Sequence, residues 1–493
     1  MLHRPLVSVR LLTLALAALL AVAARAVTPA LTLEGAIRLA LENNQRIKVS
    51  EFGPQIAHAN VLAAYGRFDP AITFNRSYGE SETPGLILPP SLRPVTKTAD
   101  YSLTLDGMMP WGLTYSIGAT AENQRGTFNS FTDSYATFGG VTATQPLLRG
   151  FGFGANLSDL RIAKANRGIS DWQARQTVID TVTNVILVYN NLQEARDRVR
   201  IARLSRDNAA QLLSENEKRH RVGSISDADV TQARSRVANR EESIIVAERA
   251  VYDVENQLRE LLGESRFPLN GPPVPTVELA PAPDVKVDVA ADLKTAYDLR
   301  PDYQAARLGI KINRASNARA QNQLLPQVDL VGSYGYGGLD PNFPTARSEV
   351  RNEDARAYSL GLVVRVPLTF AAGRGVARAA KLTLRQSEAD LTRVEQDIAV
   401  SVTEAAGQIG TTQQRVAATR LAYDLQQQVL NDEQKKFKAG TSSTYFVLQE
   451  QEILALAQSS YAHALADQRR AIANYDRAIG RTLIRYDITL SKD

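Results

Sequence analysis

Apolar residues along this chain follow two rhythms. Val178, Val182, Val185, Tyr189, Leu192 and Val199 recur at alternating steps of four and three, with Arg196 breaking the series once. Ile398, Val402, Ala405, Ile409, Val416 and Tyr423 repeat the same arithmetic further on. A 3.5-residue period lays a narrow apolar seam along one side of a helix, where it meets a neighbouring helix. Between Asn156 and Arg221 the only proline or glycine is Gly168. A helix over that stretch would reach about 100 Å at about 1.5 Å per residue. Globular helices average about three turns, so the pattern predicts long helices in a coiled coil or a helical tube.

The second rhythm has period two, the signature of a sheet with unlike faces. Tyr101, Leu103 and Leu105 alternate with Ser102, Thr104 and Asp106, and Leu113, Tyr115 and Ile117 with Thr114, Ser116 and Gly118. Val328, Leu330, Tyr334 and Tyr336 share a face with Gly332. Tyr358, Leu360, Leu362, Val364 and Val366 oppose Ser359, Gly361 and Arg365, with Val363 out of step. Alternation of this kind fits a half-buried sheet in water or a barrel wall in lipid.

The two rhythms occur twice, in the same order. Ala40 and Ala296 open matching amphipathic stretches, which run to Pro70 and Pro326, both pairs 256 positions apart. Pro146 and Pro367 each open a long helix, and turns at Gly223 and Gly440 precede return helices that close before Gly263 and Gly480. The expected plan is a first repeat over 27–267 (helix 32–68, β segment 71–145, long and return helices 147–262) and a proline-rich linker over 268–288. A second repeat follows over 289–480 (helix 289–324, β segment 327–366, long and return helices 368–479), then a tail over 481–493. The first β segment is the longer, with room for an extra hairpin turning at Pro110-Trp111-Gly112. The sequence leaves open whether that hairpin joins the sheet or decorates it.

Composition narrows the chemistry. Hydrophobic residues make up 44% and charged residues 22%, a foldable mixture. The net charge of +5 owes three positives to Arg4, Arg10 and Arg25, and the remainder is interspersed, which argues against nucleic acid as a partner. The chain has no cysteine, so disulfides, thiolate metal sites and a lipid-anchored N-terminal cysteine are excluded. His58, His220 and His463 stand singly and read as surface residues rather than metal ligands. Gly150-Phe151-Gly152-Phe153-Gly154 is glycine-rich but lacks the lysine of a phosphate-binding loop. No enzyme activity, cofactor or metal is expected. Residues 1–26 carry a positive start, an apolar run from Leu11 to Ala24 and a small-x-small Ala24-Arg25-Ala26, as a secretory signal peptide does. No later run is long enough for a transmembrane helix, so entry into a membrane would require a closed barrel.

Taken together, Thr32 to Asn44, Phe68-Asp69-Pro70, Gln145 to Gly152 and the turn glycines Gly223 and Gly440 resemble TolC-type outer-membrane efflux proteins over nearly all of the mature chain. The resemblance implies an α+β fold: membrane β-barrel strands, four from each chain, joined to very long antiparallel helices that form an α-helical barrel. It implies a homotrimer in the outer membrane, not lipidated, with a long periplasmic portion. Its partners would be outer-membrane lipid, a periplasmic adaptor (membrane fusion protein) and an inner-membrane pump, in tripartite efflux or type I secretion. The strand–helix junctions would be Pro70, Pro146, Pro326 and Pro367, and the adaptor-contacting helix tips Gly223, Ser224, Gly440 and Thr441. Ser224 or Ser226, and Thr441 or Ser442, would cap the return helices. Where members narrow the periplasmic mouth with aspartates, this chain has Asp229 after the first tip but Phe446 and Gln449 after the second. The alternative reading is a periplasmic coiled-coil adaptor or scaffold without a pore.

Overall fold

A computed structural model describes residues 30–84, 93–263, 267–269, 271–278 and 282–489. The expected signal peptide lies outside the described residues, as do parts of the expected linker and tail. In chain order the elements are α1 (Leu33–Asn43), α2 (Gln45–Tyr65), β1 (Ala71–Glu82), β2 (Val95–Met108), β3 (Thr114–Gly126), β4 (Tyr135–Pro146), α3 (Phe153–Asn156), α4 (Ser158–Arg221) and α5 (Asp227–Leu262). The second half follows with α6 (Val289–Leu299), α7 (Pro301–Asn322), β5 (Gln327–Asp340), α8 (Phe343–Arg351), β6 (Ala355–Arg365), α9 (Ala371–Lys438), α10 (Thr444–Ile479) and α11 (Thr482–Arg485). Two compact units emerge, each built from segments of both halves.

Several expected boundaries move. The first amphipathic stretch is two helices, because Asn44 is extended (ψ 123°) and its side-chain oxygen accepts from the Arg46 amide at 2.9 Å. The second breaks at the equivalent position: Arg300 is extended (ψ 125°) and Pro301 opens α7. Proline forces this geometry on its predecessor and is at home in a helix's first turn. Pro146 is the last residue of β4, and the long helix α4 starts only at Ser158. Between them Gly150 (φ 84°) and Gly152 (φ 90°) reverse the chain. Asn156 donates to the Gly150 carbonyl at 2.7 Å, so this glycine-rich run is a strand-to-helix turn.

One unit comprises Val49–Thr177 and Lys294–Val400. Its sheet has six antiparallel strands in the order β1-β2-β3-β4-β5-β6, which corrects the expected four per chain. The hairpin at Pro110-Trp111-Gly112 joins β2 to β3 within this sheet. The register makes the faces explicit. Ile72, Leu105, Ile117, Val141, Tyr334 and Tyr358 lie opposite one another in turn, forming an apolar row across all six strands. One residue along, Thr73, Thr104, Gly118, Gly140, Gly335 and Ala357 form a row on the other face. A Cβ built on Gly118 would sit 2.1 Å from the Leu103 carbonyl oxygen, and on Gly140 2.4 Å from that of Tyr334. At these two positions only glycine lets the neighbouring strand's backbone come so close. The apolar face is exposed, Leu360 to 77%.

The second β segment also holds a helix the sequence reading missed. Helix α8 packs on the far end of β4 and β5, where Thr137 Oγ1 donates to the Ala346 carbonyl at 2.9 Å. The Leu339 amide donates to Glu349 at 2.8 Å.

The other unit comprises Met1–Lys48, Val178–Leu293 and Ser401–Asp493 among its described residues. Its core contains the predicted seam: Val178, Val182, Val185, Tyr189 and Leu192 are buried with Ile37, Ala40, Leu258 and Leu262. Leu31 forms a parallel bridge with Thr276. The Tyr189 hydroxyl donates at 2.8 Å to the Leu31 and Val277 carbonyls, tying the expected linker to the long helix. A second cluster gathers Ala406, Ile409, Ile472, Tyr475 and Ile479.

Candidate functional site: the paired helix-tip turns

Helix α4 ends in a run of basic side chains, Lys218, Arg219, His220 and Arg221, and α9 in Lys435, Lys436 and Lys438. Such charge is favourable where helix carbonyls are left without partners. Beyond each run a glycine turns into the left-handed region, Gly223 at φ 74° and Gly440 at φ 77°. The amides of Gly223 and Ser224 donate back to His220 and Arg219 at 2.8 and 2.9 Å, and those of Gly440 and Thr441 to Phe437 and Lys436 at 3.1 and 3.0 Å. Both turns satisfy carbonyls of the helix they end.

The helices that return from them start differently. Ser226 caps α5: its hydroxyl accepts from the Asp229 amide at 3.3 Å, and its own amide donates to Asp229 Oδ2 at 3.2 Å. Asp229 is thus held in a reciprocal capping pair, half-buried, rather than free. At α10 the cap position is Ser443, with no side-chain cap bond, so neither Thr441 nor Ser442 caps. The Thr441 hydroxyl donates to the Lys436 carbonyl at 3.1 Å, and Ser442 donates to Glu433. That bond from Ser442, with one from Lys436, holds the Glu433 carboxyl below its ordinary value.

The two turns are joined side by side. The Arg219 guanidinium lies 4.1 Å from the centre of the Phe437 ring and donates to the Phe437 carbonyl at 3.2 Å. Beneath them Leu212, Leu430, Phe437, Val447, Leu448 and Leu454 form a core of their own. His220 is not a free surface residue: its ring stands 3.1 Å from the Ile225 carbonyl and 3.2 Å from Asp227. Gly223, Ser224, Gly440, Thr441 and Gln449 are exposed. Val222 is 76% exposed, and Phe446, 51% exposed, meets Tyr445 edge-on at 5.5 Å. Apolar side chains this open at a helix end suit contact with another chain.

Further along the same helices lies a charged group that residue spacing could not reveal. Glu194 on α4 accepts from Arg470 on α10 at 2.7 Å and stands 2.8 Å from His463, whose other ring nitrogen is 3.3 Å from Asp467. His463 thus stands between two carboxylates with its side chain still 39% exposed, a surface residue but not a lone one. Burial opposes the Glu194 charge, but Arg470 and His463 outweigh it and hold the carboxyl below its ordinary value. Among the described residues no cluster of three or more candidate ligands is placed for a metal ion, and no helix is long and apolar enough to cross a membrane.

The four junction prolines all fall at element boundaries: Pro70 and Pro326 just before β1 and β5, Pro146 at the end of β4, Pro367 just after β6. Against known proteins, the family model for outer membrane efflux proteins matches residues 36–264 and 293–481. The chain is 27% identical over 322 residues to the pyoverdine export outer membrane protein OpmQ of Pseudomonas putida, covering 62% of this chain and 63% of that relative. Among solved structures, the outer-membrane channel OprN superposes with a TM-score of 0.68 at 17% identity, covering 91% of this chain and 89% of the other. The Campylobacter jejuni CmeC outer membrane channel gives 0.68 at 14%, covering 91% and 86%. These likenesses establish the α+β fold of long helices and barrel strands, and the family match spans both halves of the duplication. The chain belongs to the outer membrane efflux protein family, and it is an outer-membrane protein.

Proposed function

We propose that this protein is the outer-membrane channel of a tripartite efflux or type I secretion system: a passive homotrimeric conduit that catalyses no reaction. The carrying observation is the apolar row from Ile72 to Tyr358 across a sheet whose outer strands, β1 and β6, have no further partner strand in the described sheet. Lipid tolerates neither unpaired strand edges nor a polar outer surface, and closing the sheet with further copies of itself removes the first while the apolar row supplies the second. Energy would come from an inner-membrane pump, reached through a periplasmic adaptor. Residues 1–26 would direct export and be removed.

The exposed turns at Gly223, Ser224, Gly440 and Thr441 are the surface for that adaptor, supported by their openness and by the Arg219–Phe437 contact that presents them together. Asp229, Phe446 and Gln449 are the candidates for the periplasmic mouth, with Phe446 the stronger constriction because the Asp229 carboxylate is engaged by Ser226. Relatives named for pyoverdine export make a secreted small organic molecule the first cargo to try. Single-channel recording in planar bilayers tests the reading. The purified protein is expected to conduct, and Phe446→Ala to raise conductance at least twofold. Absence of channels would overturn the function, and unchanged conductance would remove Phe446 from the mouth.

A further inference from the structure

The sheet has two more strands than the family resemblance implies, and their place in the duplication is legible. Pro70 precedes β1 as Pro326 precedes β5, and Pro146 follows the body of β4 as Pro367 follows β6. By this correspondence β1 answers to β5 and β4 to β6, so the hairpin β2–β3 is the insertion. We propose that this hairpin is part of the membrane wall, so that three copies close a barrel of eighteen strands, wider than one of twelve, with an acidic water-filled interior. The inference rests on the trimeric reading above.

Four observations carry it. First, the inserted strands do not lie on top of the sheet but separate β1 from β4, paired continuously on both sides. Removing them from the wall would break both ladders and leave β1 and β4 without their partners. Second, β2 has 14 residues and β3 has 13, against 12 for β1 and 12 for β4, so all span a comparable height. About ten residues suffice for a tilted strand to cross a bilayer. Third, the hairpin continues the apolar face near its turn: Leu103, Leu105 and Ile117 are exposed on it, between Ile72 and Phe74 on one side and Val141 on the other, while Lys97 and Arg125 share that face only at the end away from Pro110. A hairpin standing in water would leave those side chains unsheltered, whereas in lipid they are matched. Fourth, six is even. Strand β1 starts at the end of the sheet where β6 finishes, so β1 of one copy meets β6 of the next antiparallel, as every pair within the chain already is. Barrel diameter grows roughly linearly with strand number, so eighteen strands give a wall about 1.5 times as wide as twelve.

The hairpin also sets the charge of the interior. The polar face carries Asp100, Asp106, Glu122 and Asp329 against Arg365, and three of those four acids sit on the hairpin. Asp100 and Glu122 lie directly opposite each other, a like-charge pairing that costs stability in an ordinary sheet. Facing a water-filled lumen, the pair instead raises the local concentration of cations.

The absence of native cysteine makes the test direct, since a single introduced thiol reports one position. Leu103→Cys and Thr104→Cys would be made in the full chain, extracted as trimers, and treated with water-soluble methanethiosulfonates. The wall assignment predicts that Thr104→Cys reacts and Leu103→Cys reacts only after denaturation. It also predicts that at Thr104→Cys a cationic reagent outpaces an anionic one severalfold, with Asp100→Asn and Glu122→Gln together narrowing that ratio. Reaction at both positions, or at neither, in an intact trimer overturns the proposal while leaving the trimeric reading in place. Loss of the SDS-resistant trimer in the unmodified chain would instead overturn the reading beneath it. End-on electron-microscope images supply an independent check. The native barrel should be about 1.5 times the diameter of a variant lacking 95–126, and equal diameters would contradict the proposal.

Discussion

Arg196 interrupts an otherwise apolar seam because it has work outside the helix pair. Its guanidinium meets Glu255 at 2.8 Å and also donates to Thr276 and to the Val274 carbonyl, so the seam position becomes a clamp on the segment after α5. The break was visible in the sequence, but its partners lie some 60 to 80 positions away and no periodicity points to them. The same holds for Glu194, His463 and Arg470, which meet across the two copies. By contrast Gly223 and Gly440 could be read directly, since a helix that must turn sharply calls for a residue tolerant of positive φ. The Glu194 cluster makes a pH prediction. A carboxyl held below its ordinary value of 4.5 in the folded state contributes stability that is fully present above about pH 4.5 and fades as pH falls through the depressed value. Glu194→Gln should therefore lower stability by on the order of 2 kcal/mol at pH 7, allowing for solvent around its partners, and flatten the acid limb. Thermal melts between pH 3 and 7 check this, and a variant with an unaltered acid limb would show that Glu194 is not the group responsible.

Among the elements, the long helices were legible because period and length speak together: the seam residues Val182, Val185 and Tyr189 are wholly buried, as their spacing demanded. The two-helix form of each leading stretch was harder to read. Pro301 marks the second break plainly, but Asn44 hides the first, since asparagine is compatible with a helix interior as well as with a cap. Comparing the copies would have exposed it, for the two breaks are equivalent. Asn44 also donates to the Leu261 carbonyl at 2.8 Å, joining α1 to the end of α5. Asn44→Ala should cost about 1 kcal/mol or more through the lost cap. Amide exchange at Arg46 to Lys48 should rise with it, and unchanged protection there would argue that the break is held by other contacts. Helix α8 gave little signal, a nine-residue amphipathic segment between two strands, with Pro344 in its first turn as the one local cue; its partner Thr137 is remote in sequence.

At the scale of the whole molecule, the duplication, the alternating strands and the family match converge on a chain that is incomplete alone. Its sheet presents exposed Ile72, Phe74, Leu360 and Leu362, and its outer strands await partners. The number of strands per chain was not legible, because the extra length near Pro110 fitted a hairpin inside or outside the sheet equally well. Only the register, which places Leu105 between Ile72 and Ile117, decides for the sheet. Native mass spectrometry of the detergent-extracted protein tests the central claim most directly. Three copies of the chain in one particle, surviving extraction, is the predicted result; a stable single copy that stays soluble without detergent would contradict it.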